Sequence, residues 1–375
     1  MSTGCCPSVS QACKPKSESC TNLEEAVQKH YGETLKSGAD LKTNACTASA
    51  KPHPIICAAM SNVPLPIMER FFGCGSPIPV NLEGLSILDL GCGAGRDCYI
   101  AAQLAGKDGQ VTGVDMTPSQ LEFARRYVDE FTKEQGFPKP TMNFIEGNIE
   151  SLLACGIPRD SVDVVISNCV INLCTNKAGV LQQVYSVLRN GGEFYFSDMY
   201  CDRRLNPELK GDPLLHAEGL TGALYEHDFV AMAKAAGFGE VRVLTRAPLT
   251  IKDAAIQERL GNAKYYAVTY RLFKVAGLEP RCEDYGQVAV YNGTINGHAH
   301  KYELDEGHVF ETGRPMLICG NTALLLTEGV LCKGHFTVTG DTKTHYGIFP
   351  CNKGPLMSVS ESSGEASCAP GGGCC

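Results

Sequence analysis

The sequence lacks a long apolar run, a block of basic residues and a recognisable secretory leader. No apolar stretch approaches the roughly 18 residues of a membrane span. Residues 1–7 carry no basic group and no apolar segment follows them, unlike a signal peptide. The net charge is −8, which argues against a nucleic-acid-binding surface. We therefore expect a cytoplasmic protein that binds neither membranes nor nucleic acids, and we expect it to be a monomer.

Cysteine, by contrast, is abundant, with 20 residues in a chain of 375. In a short secreted protein this content would predict disulfide bonds. In a large cytoplasmic protein, it indicates catalysis, redox chemistry or the binding of soft metals. Several cysteines lie in two polar terminal segments, residues 1–22 and 357–375, which contain too few apolar residues to form a core and are predicted to be flexible tails.

The chain between these tails divides into three predicted parts. Prolines interrupt residues 23–80, which are predicted to form a helical N-terminal lid segment. Strand and helix patterns alternate over residues 81–250, which predicts an α/β fold with a doubly wound, mostly parallel sheet. Short β-rich pieces separated by turn dipeptides such as Asn292-Gly293 follow, and residues 251–356 are predicted to form a small α+β C-terminal domain.

Hydrophobic periodicity and turn residues predict individual elements within this α/β region. The predicted helices and strands are a helix from Pro118 to about Gln135, strands 141–146 and 162–168, a helix near 180–188, a strand 193–198, a helix 226–236 and a strand 240–245.

One motif predicts a nucleotide-cofactor site. Residues 87–98 read Ile-Leu-Asp-Leu-Gly-Cys-Gly-Ala-Gly-Arg-Asp-Cys, an apolar strand that ends in three glycines, and Asp115 ends the next strand about where a ribose would lie. A dinucleotide fingerprint has the spacing G-x-G-x-x-G, whereas here Arg96 occupies the third place. S-adenosylmethionine has no phosphate, and Asp89 suits its cationic end. The pattern therefore favours an S-adenosylmethionine-dependent methyltransferase over an NAD enzyme.

A second motif follows the predicted strand 162–168. Ligands of doubly wound sheets bind outside the carboxyl ends of the strands, so Cys169 is expected to face the cofactor. The alternative is that Cys169 is a small buried hydrophobic residue, as many unpaired cysteines are. Near the glycine motif, Arg96 and Asp97 are expected to orient the methionine end of the cofactor, or else to form a charge pair at a helix start.

Several segments together resemble arsenite methyltransferases. The resemblance extends from about Tyr31 to Phe349. The segments that carry it are residues 31–46, 72–75, 88–98, 167–173 and 222–225, together with Val-Tyr-Asn-Gly-Thr-Ile at 290–295. It implies a Rossmann-like class I methyltransferase sheet, S-adenosylmethionine as methyl donor, arsenite and methylarsonous acid (methylarsonite) as substrates in arsenic detoxification, and thioredoxin or glutathione as the reductant.

The resemblance also assigns site residues. Cys46 and Cys74 would act as a redox pair, and Cys74 would pass arsenic to Cys169. Thiolates are natural ligands for thiophilic trivalent arsenic, which is consistent with this assignment. The implied cofactor-binding residues are Asp89, Gly91, Gly93, Gly95, Arg96, Asp115, Met116, Asn148, Ile149 and Asn168.

The sequence departs from the family pattern at Gly219, where the family has a fourth cysteine. Either Cys46, Cys74 and Cys169 complete the arsenic site, or Cys174 or Cys201 supplies the missing sulfur. A third possibility is a narrower substrate range. Inorganic arsenite can use three thiolates whereas a monomethylated arsenical needs two, so we expect methylarsonous acid to be the better substrate.

Two other functions are compatible with parts of the sequence. A methyltransferase of a small organic metabolite would share the glycine motif but would need a general base and would not need Cys169. A cysteine-rich metalloid-sequestering protein would use the tails and would not retain S-adenosylmethionine.

Overall fold

A computed structural model provides the three-dimensional structure and describes residue 27 and residues 52–71, 73 and 76–351. The two predicted tails, and Cys46 and Cys74, lie outside the described residues. Between residues 52 and 85, two short helices precede the first strand, α1 (Pro54–Met60) and α2 (Leu65–Glu69).

A central sheet organises the described part of the chain. Its strands run in the order β3-β2-β1-β4-β5-β8-β7, with β6 beside β5. Strands β1 to β6 pair in parallel, and β8 pairs antiparallel to both β5 and β7. The bounds are β1 Ser86–Leu90, β2 Gln110–Asp115, β3 Met142–Glu146, β4 Val162–Asn168, β5 Leu188–Cys201, β6 Leu224–Tyr225, β7 Glu240–Leu249 and β8 Tyr265–Lys274.

Helices connect these strands and pack their apolar sides on both faces of the sheet, which gives two large apolar clusters. Their bounds are α3 Arg96–Ala105, α4 Pro118–Arg125, α5 Val128–Glu134, α6 Lys177–Val187, α7 Pro213–Ala217, α8 Glu226–Ala235 and α9 Ala254–Leu260. Helix α3 packs closely against the sheet, and its Tyr99, Ile100 and Ala101 are completely buried.

The doubly wound, mostly parallel sheet predicted from the sequence is confirmed. The predicted helix from Pro118 is divided into α4 and α5. Strand β8 lies beyond residue 250, where the C-terminal domain was predicted to begin, and yet it belongs to the central sheet. The core sheet therefore extends to Lys274.

A smaller unit of short strands follows β8. Strand β10 lies between β13 and β14, while β11 and β12 form a hairpin and β9 pairs with β15. The bounds are β9 Glu283–Asp284, β10 Gln287–Tyr291, β11 Lys301–Asp305, β12 His308–Glu311, β13 Pro315–Ile318, α10 Gly320–Glu328, β14 Phe336–Thr339 and β15 Gly347–Ile348.

Buried ion pairs fasten this unit to the central sheet. Arg271 on β8 pairs with Glu193 on β5 at 2.8 Å and donates to the carbonyl of Leu304 on β11. Arg242 on β7 pairs with Asp305, also on β11, at 2.7 Å. Removing one partner of a buried ion pair leaves an uncompensated charge, so these contacts fix how the unit sits on the sheet.

Among the described residues, no helix is both long and apolar enough to cross a bilayer.

Candidate active site

An open cavity lies at the carboxyl edge of the central sheet, with a volume of about 1120 Å³ including its mouth. Its walls come from the loops that follow four parallel strands: β1 ends before Gly91, β2 ends at Asp115, β3 ends before Gly147 and β4 ends at Asn168. This is the position at which a doubly wound sheet binds its ligand.

The glycine loop after β1 forms the floor of the cavity. Gly91, Gly93 and Gly95 all have positive φ, which residues with a Cβ rarely adopt. A Cβ on Gly91 would lie 2.5 Å from Val170, whereas a Cβ on Gly93 would meet no atom within 4 Å. The backbone at Gly93 therefore leaves open space beside the cavity, as close approach of a ligand requires.

Gly95 has a different role from the one that the motif implied. It does not line the cavity and instead precedes helix α3. A Cβ there would lie 3.0 Å from the ring of Phe144 and 3.2 Å from Ala124. The missing side chain allows the helix start to pack against β3 and α4, so a direct contact between Gly95 and a cofactor remains only a prediction.

Asp115 is held rigidly at the end of β2. Its carboxylate accepts hydrogen bonds from the backbone N–H of Gly93 at 2.9 Å and of Thr117 at 2.8 Å. Burial raises the pKa of Asp115 despite these bonds. The side chain lines the cavity, where it could accept hydrogen bonds from ribose hydroxyls.

Asp89 presents a buried acid to the same cavity. It is 3 % exposed and accepts a hydrogen bond from the thiol of Cys98 at 3.2 Å. Burial, together with the negative charges of Asp97 and Asp115, raises the pKa of Asp89 to about 8. A cationic ligand would stabilise its charged form. This is an electrostatic match for the sulfonium and ammonium groups of S-adenosylmethionine.

A chain of polar contacts connects Arg96, Asp97 and Asn168. Arg96 donates to Asp97 at 2.6 Å, and the side-chain amide of Asn168 donates to the other carboxylate oxygen at 2.9 Å. The guanidinium of Arg96 lies over the ring of Phe71. The contacts fix Asn168, which directly precedes Cys169, relative to the start of helix α3.

Gly73, in the N-terminal segment, packs closely against Asn168. A Cβ on Gly73 would lie 2.4 Å from the ring of Phe71 and 2.5 Å from the side chain of Asn168. Only a glycine fits this position without displacing its neighbours. The resemblance pointed to Cys74 in this segment, whereas no sequence pattern indicated the packing role of Phe71 and Gly73.

Cys169 occupies the cavity wall in an unusual backbone conformation. Its φ is 58°, in the left-handed region, and its N–H donates to the carbonyl of Ser197 at 2.8 Å. Such strain is concentrated at functional sites, where the surrounding structure maintains it. Cys169 is disulfide-bonded in the structure.

The two cysteines considered as replacement ligands are placed differently. Cys174 lines the cavity together with Cys169. Cys201 is fully buried in the apolar cluster against which Cys169 packs, does not line the cavity, and has a pKa raised to about 11 by burial. Of the two, Cys174 is the better placed to offer a sulfur atom.

Met116, Asn148 and Ile149 line the part of the cavity where the resemblance predicts that the adenine binds. The side chain of Asn148 accepts a hydrogen bond from the N–H of Glu150 and so caps the short 3-10 helix Ile149–Ser151. Thus Asn148 shapes the turn and also borders the cavity.

Taken together, the sheet order, the glycine loop and the two acids define an S-adenosylmethionine-dependent methyltransferase. Residues 81–237 match the family model described as a methyltransferase domain.

Comparison with whole proteins narrows the family. The chain is 45% identical to an arsenite methyltransferase of Aquipseudomonas alcaligenes, over 87% of this chain and 94% of that protein. It is 41% identical to the Homo sapiens arsenite methyltransferase, over 81% of this chain and 80% of that protein. The crystal structure of an arsenic(III) S-adenosylmethionine methyltransferase from Chlamydomonas reinhardtii superposes with a TM-score of 0.77 and 50% identity, covering 80% of this chain and all of that one. The chain belongs to the arsenite methyltransferase family, as the sequence motifs had predicted.

Proposed function

We propose that this protein transfers methyl groups from S-adenosylmethionine to trivalent arsenic bound by Cys169 and Cys74. The observation that carries the proposal is the position of Cys169, which lies on the wall of the cofactor cavity beside Asn168 in a strained conformation. A thiolate there can hold a thiophilic substrate next to the methyl donor.

The residues of the cavity fit the cofactor. Bound S-adenosylmethionine supplies an electrophilic methyl group on a sulfonium. Asp115 would hold the ribose and Asp89 the cationic end, while Asn148 and Ile149 would border the adenine. Arg96 and Asp97 hold Asn168 by hydrogen bonds, and this would position the neighbouring Cys169 beside the bound cofactor. The main contribution of the protein is therefore alignment of the two reactants.

The position of Gly73 supports a role for Cys74. Gly73 is buried against Asn168, and Cys74 is the next residue in the sequence. We propose that Cys74 and Cys169 share the arsenic. Because trivalent arsenic provides the electron pair of the new As–C bond, its formal oxidation state rises from III to V.

Two electrons must then reduce the arsenic again. We propose that the sulfur of Cys46 attacks the arsenic-bound sulfur of Cys74 and forms a Cys46–Cys74 disulfide. The bond between arsenic and Cys74 breaks, its electron pair stays on arsenic, which returns to the trivalent state, and the Cys46 thiol releases one proton. Thioredoxin or glutathione would reduce this disulfide by thiol exchange. Since Cys169 is itself disulfide-bonded in the structure, we expect it to be reduced before arsenic binds.

Gly219 suggests which arsenical reacts faster. It occupies the position of the family's fourth cysteine and carries no sulfur, so the site is left with one ligand fewer unless Cys174 replaces it. Inorganic arsenite can use three thiolates and methylarsonous acid two. We propose that methylarsonous acid is the better substrate and that dimethylated product follows from it.

A substitution of Cys169 tests the proposal. Cys169→Ser should abolish methylation of arsenic while the affinity for S-adenosylmethionine changes less than threefold, because the cofactor contacts lie elsewhere. The matched control is Cys57→Ser, which alters a half-buried thiol outside the cavity. An organic-metabolite methyltransferase would keep its activity in Cys169→Ser. Failure of the wild type to retain S-adenosylmethionine would instead indicate a sequestering protein.

A further inference from the structure

Three cysteines of the C-terminal unit meet at one point although they are far apart in the sequence. The sulfur atoms of Cys282, Cys319 and Cys351 all lie within 4.8 Å of one another. Cys282 and Cys319 are buried and Cys351 is half-buried, so the cluster is reached from the side of Cys351. None of the three lines the cofactor cavity.

The backbone holds this cluster in place. Cys282 directly precedes β9 and Cys351 follows β15, and these two strands pair with each other. The N–H of Phe349 donates to the carbonyl of Cys282 at 2.8 Å and continues that pairing towards Cys351. Cys319 precedes helix α10, and its sulfur accepts a hydrogen bond from the N–H of Thr322 at 3.4 Å.

The groups around Cys319 lower the pKa of its thiol. A hydrogen bond from Cys282 is the largest influence, and Thr322 and the positive charge of Arg242 act in the same direction, so the pKa of Cys319 falls to about 5. Burial raises the pKa of Cys351, and the neighbouring Cys319 acts in the same direction against a hydrogen bond from Cys282.

The donor set decides which ion fits. Structural zinc sites use four protein ligands, and the cluster contains no fourth His, Cys, Asp or Glu among the described residues. Three thiolates around Zn²⁺ would also leave a net negative charge in a largely buried site. Trivalent arsenic needs only three sulfur atoms, because a lone pair occupies its remaining position.

We propose that Cys282, Cys319 and Cys351 form a second binding site for inorganic arsenite, separate from the site of methyl transfer. Arsenous acid exchanges its three hydroxyl groups for three thiols and releases three water molecules, with no change in oxidation state. The product is neutral, which suits burial. Methylarsonous acid has only two exchangeable hydroxyl groups, so the site should prefer the unmethylated substrate.

Arsenite binding by the full-length protein tests this site. Protein reduced with a phosphine would be incubated with arsenite without S-adenosylmethionine, separated from free arsenite, and its bound arsenic counted by mass spectrometry. The combined Cys282→Ser, Cys319→Ser, Cys351→Ser variant should bind one arsenic fewer per chain than the wild type. The single Cys351→Ser variant, at the half-buried position, should weaken that binding at least tenfold.

Cys332→Ala is the matched control, because Cys332 is a buried cysteine of the same unit and does not belong to the cluster. It should keep the full amount of arsenic. Equal arsenic binding by the wild type and a folded Cys351→Ser variant, judged by its thermal unfolding midpoint, would overturn the proposal. So would stoichiometric binding of Zn²⁺ to the cluster that arsenite does not displace.

Methyl transfer can be separated from this result. Cys169→Ser should lose methylation and still bind arsenite at the cluster. If the wild type methylates no arsenical but loses one bound arsenic when the cluster is removed, the second site stands and the proposed activity fails.

Discussion

Asp198 accepts two hydrogen bonds from Asn172, one from its backbone N–H at 3.0 Å and one from its side-chain amide at 2.8 Å. Asp198 is completely buried near the end of β5, and Asn172 lies in the short 3-10 helix that follows Cys169. The pair therefore fixes the turn on which Cys169 sits. Burial raises the pKa of Asp198 to about 6.

We expect Asp198→Asn to disorganise this turn. An asparagine would direct its own NH₂ group at one of the N–H donors that Asp198 accepts, at a cost of about 1–3 kcal/mol in the free energy of unfolding. Methylation should fall at least tenfold, with a smaller change in S-adenosylmethionine affinity. Chemical denaturation would measure the free energy of unfolding, calorimetry the affinity for S-adenosylmethionine, and activity assays the methylation rate.

Asp163→Asn is the control for Asp198→Asn. Asp163 is also buried and lies near the start of β4, at the end of the strand opposite to Cys169. It accepts a hydrogen bond from the N–H of Ser86 and pairs with Arg189. This variant should lose stability without a selective loss of activity. An Asp198→Asn protein with full activity would show that the pair does not position Cys169.

Binding of S-adenosylmethionine at pH 7 should release a proton from Asp89. The free protein holds this acid mainly protonated because its pKa is about 8, and a bound cation favours the ionised form. The same shift implies that stability falls as pH rises from about 4 to about 8, since the folded state binds the proton more tightly than the unfolded state. Calorimetry in buffers of different ionisation enthalpy counts the released protons.

The wild type should release close to one proton, and so should Asp108→Asn, which changes an exposed acid. Asp89→Asn should release none. A binding enthalpy that is the same in every buffer for the wild type would contradict the role of Asp89.

Restoring a cysteine at Gly219 should broaden the substrate range. Gly219 has a φ of +77°, and a Cβ there would lie 2.4 Å from the end of the Met199 side chain. Gly219→Cys should cost about 1–2 kcal/mol in the free energy of unfolding because of the left-handed backbone. It should also raise turnover of inorganic arsenite relative to methylarsonous acid.

Gly219→Ala carries the same backbone strain without the sulfur and should leave the substrate ratio unchanged. The two variants would be compared by arsenic speciation with each substrate. If both change the ratio equally, the effect comes from the backbone and the missing thiol does not set the preference.

Gly73→Ala should disturb the contact between the N-terminal segment and Asn168. The added methyl group would overlap Phe71 and Asn168, and overpacking of this kind costs about 1–3 kcal/mol. We expect turnover to fall more than cofactor affinity. Gly211→Ala, where a Cβ meets no atom within 4 Å, should have no effect on either. Unchanged turnover in Gly73→Ala would argue against this contact.

The sequence predicted the part of the site that rests on local patterns. The glycine run and Asp115 are a short-range motif, and Cys169 follows a strand with a clear apolar pattern. In a doubly wound sheet, the glycine run, Asp115 and Cys169 are therefore expected at the same edge. The close packing of Gly73 against Asn168 depends on two segments about 95 residues apart, and no local pattern indicates it.

Two further features, the place of β8 in the central sheet and the cluster of three cysteines, also depend on residues far apart in the sequence. No local sequence pattern predicts either of them. Strand β8 joins the central sheet antiparallel to β5, after a helix and beyond the regular alternation of elements. The change of pattern near residue 250 therefore predicts a domain boundary, although the central sheet continues past it. Cys282, Cys319 and Cys351 are separated by more than 30 residues from one another. Pairing of β9 with β15 brings two of them together, and that pairing has no signature in a short window.

Arsenic speciation is the most direct test of the proposed activity. Reduced full-length protein would be incubated with S-adenosylmethionine, a thioredoxin or glutathione system and either arsenite or methylarsonous acid, and the products separated and quantified. We expect methylated products that depend on Cys169, with methylarsonous acid turned over faster than arsenite. Faster turnover of arsenite would contradict the substrate preference, and no methylated arsenic from either substrate would contradict the proposed function itself.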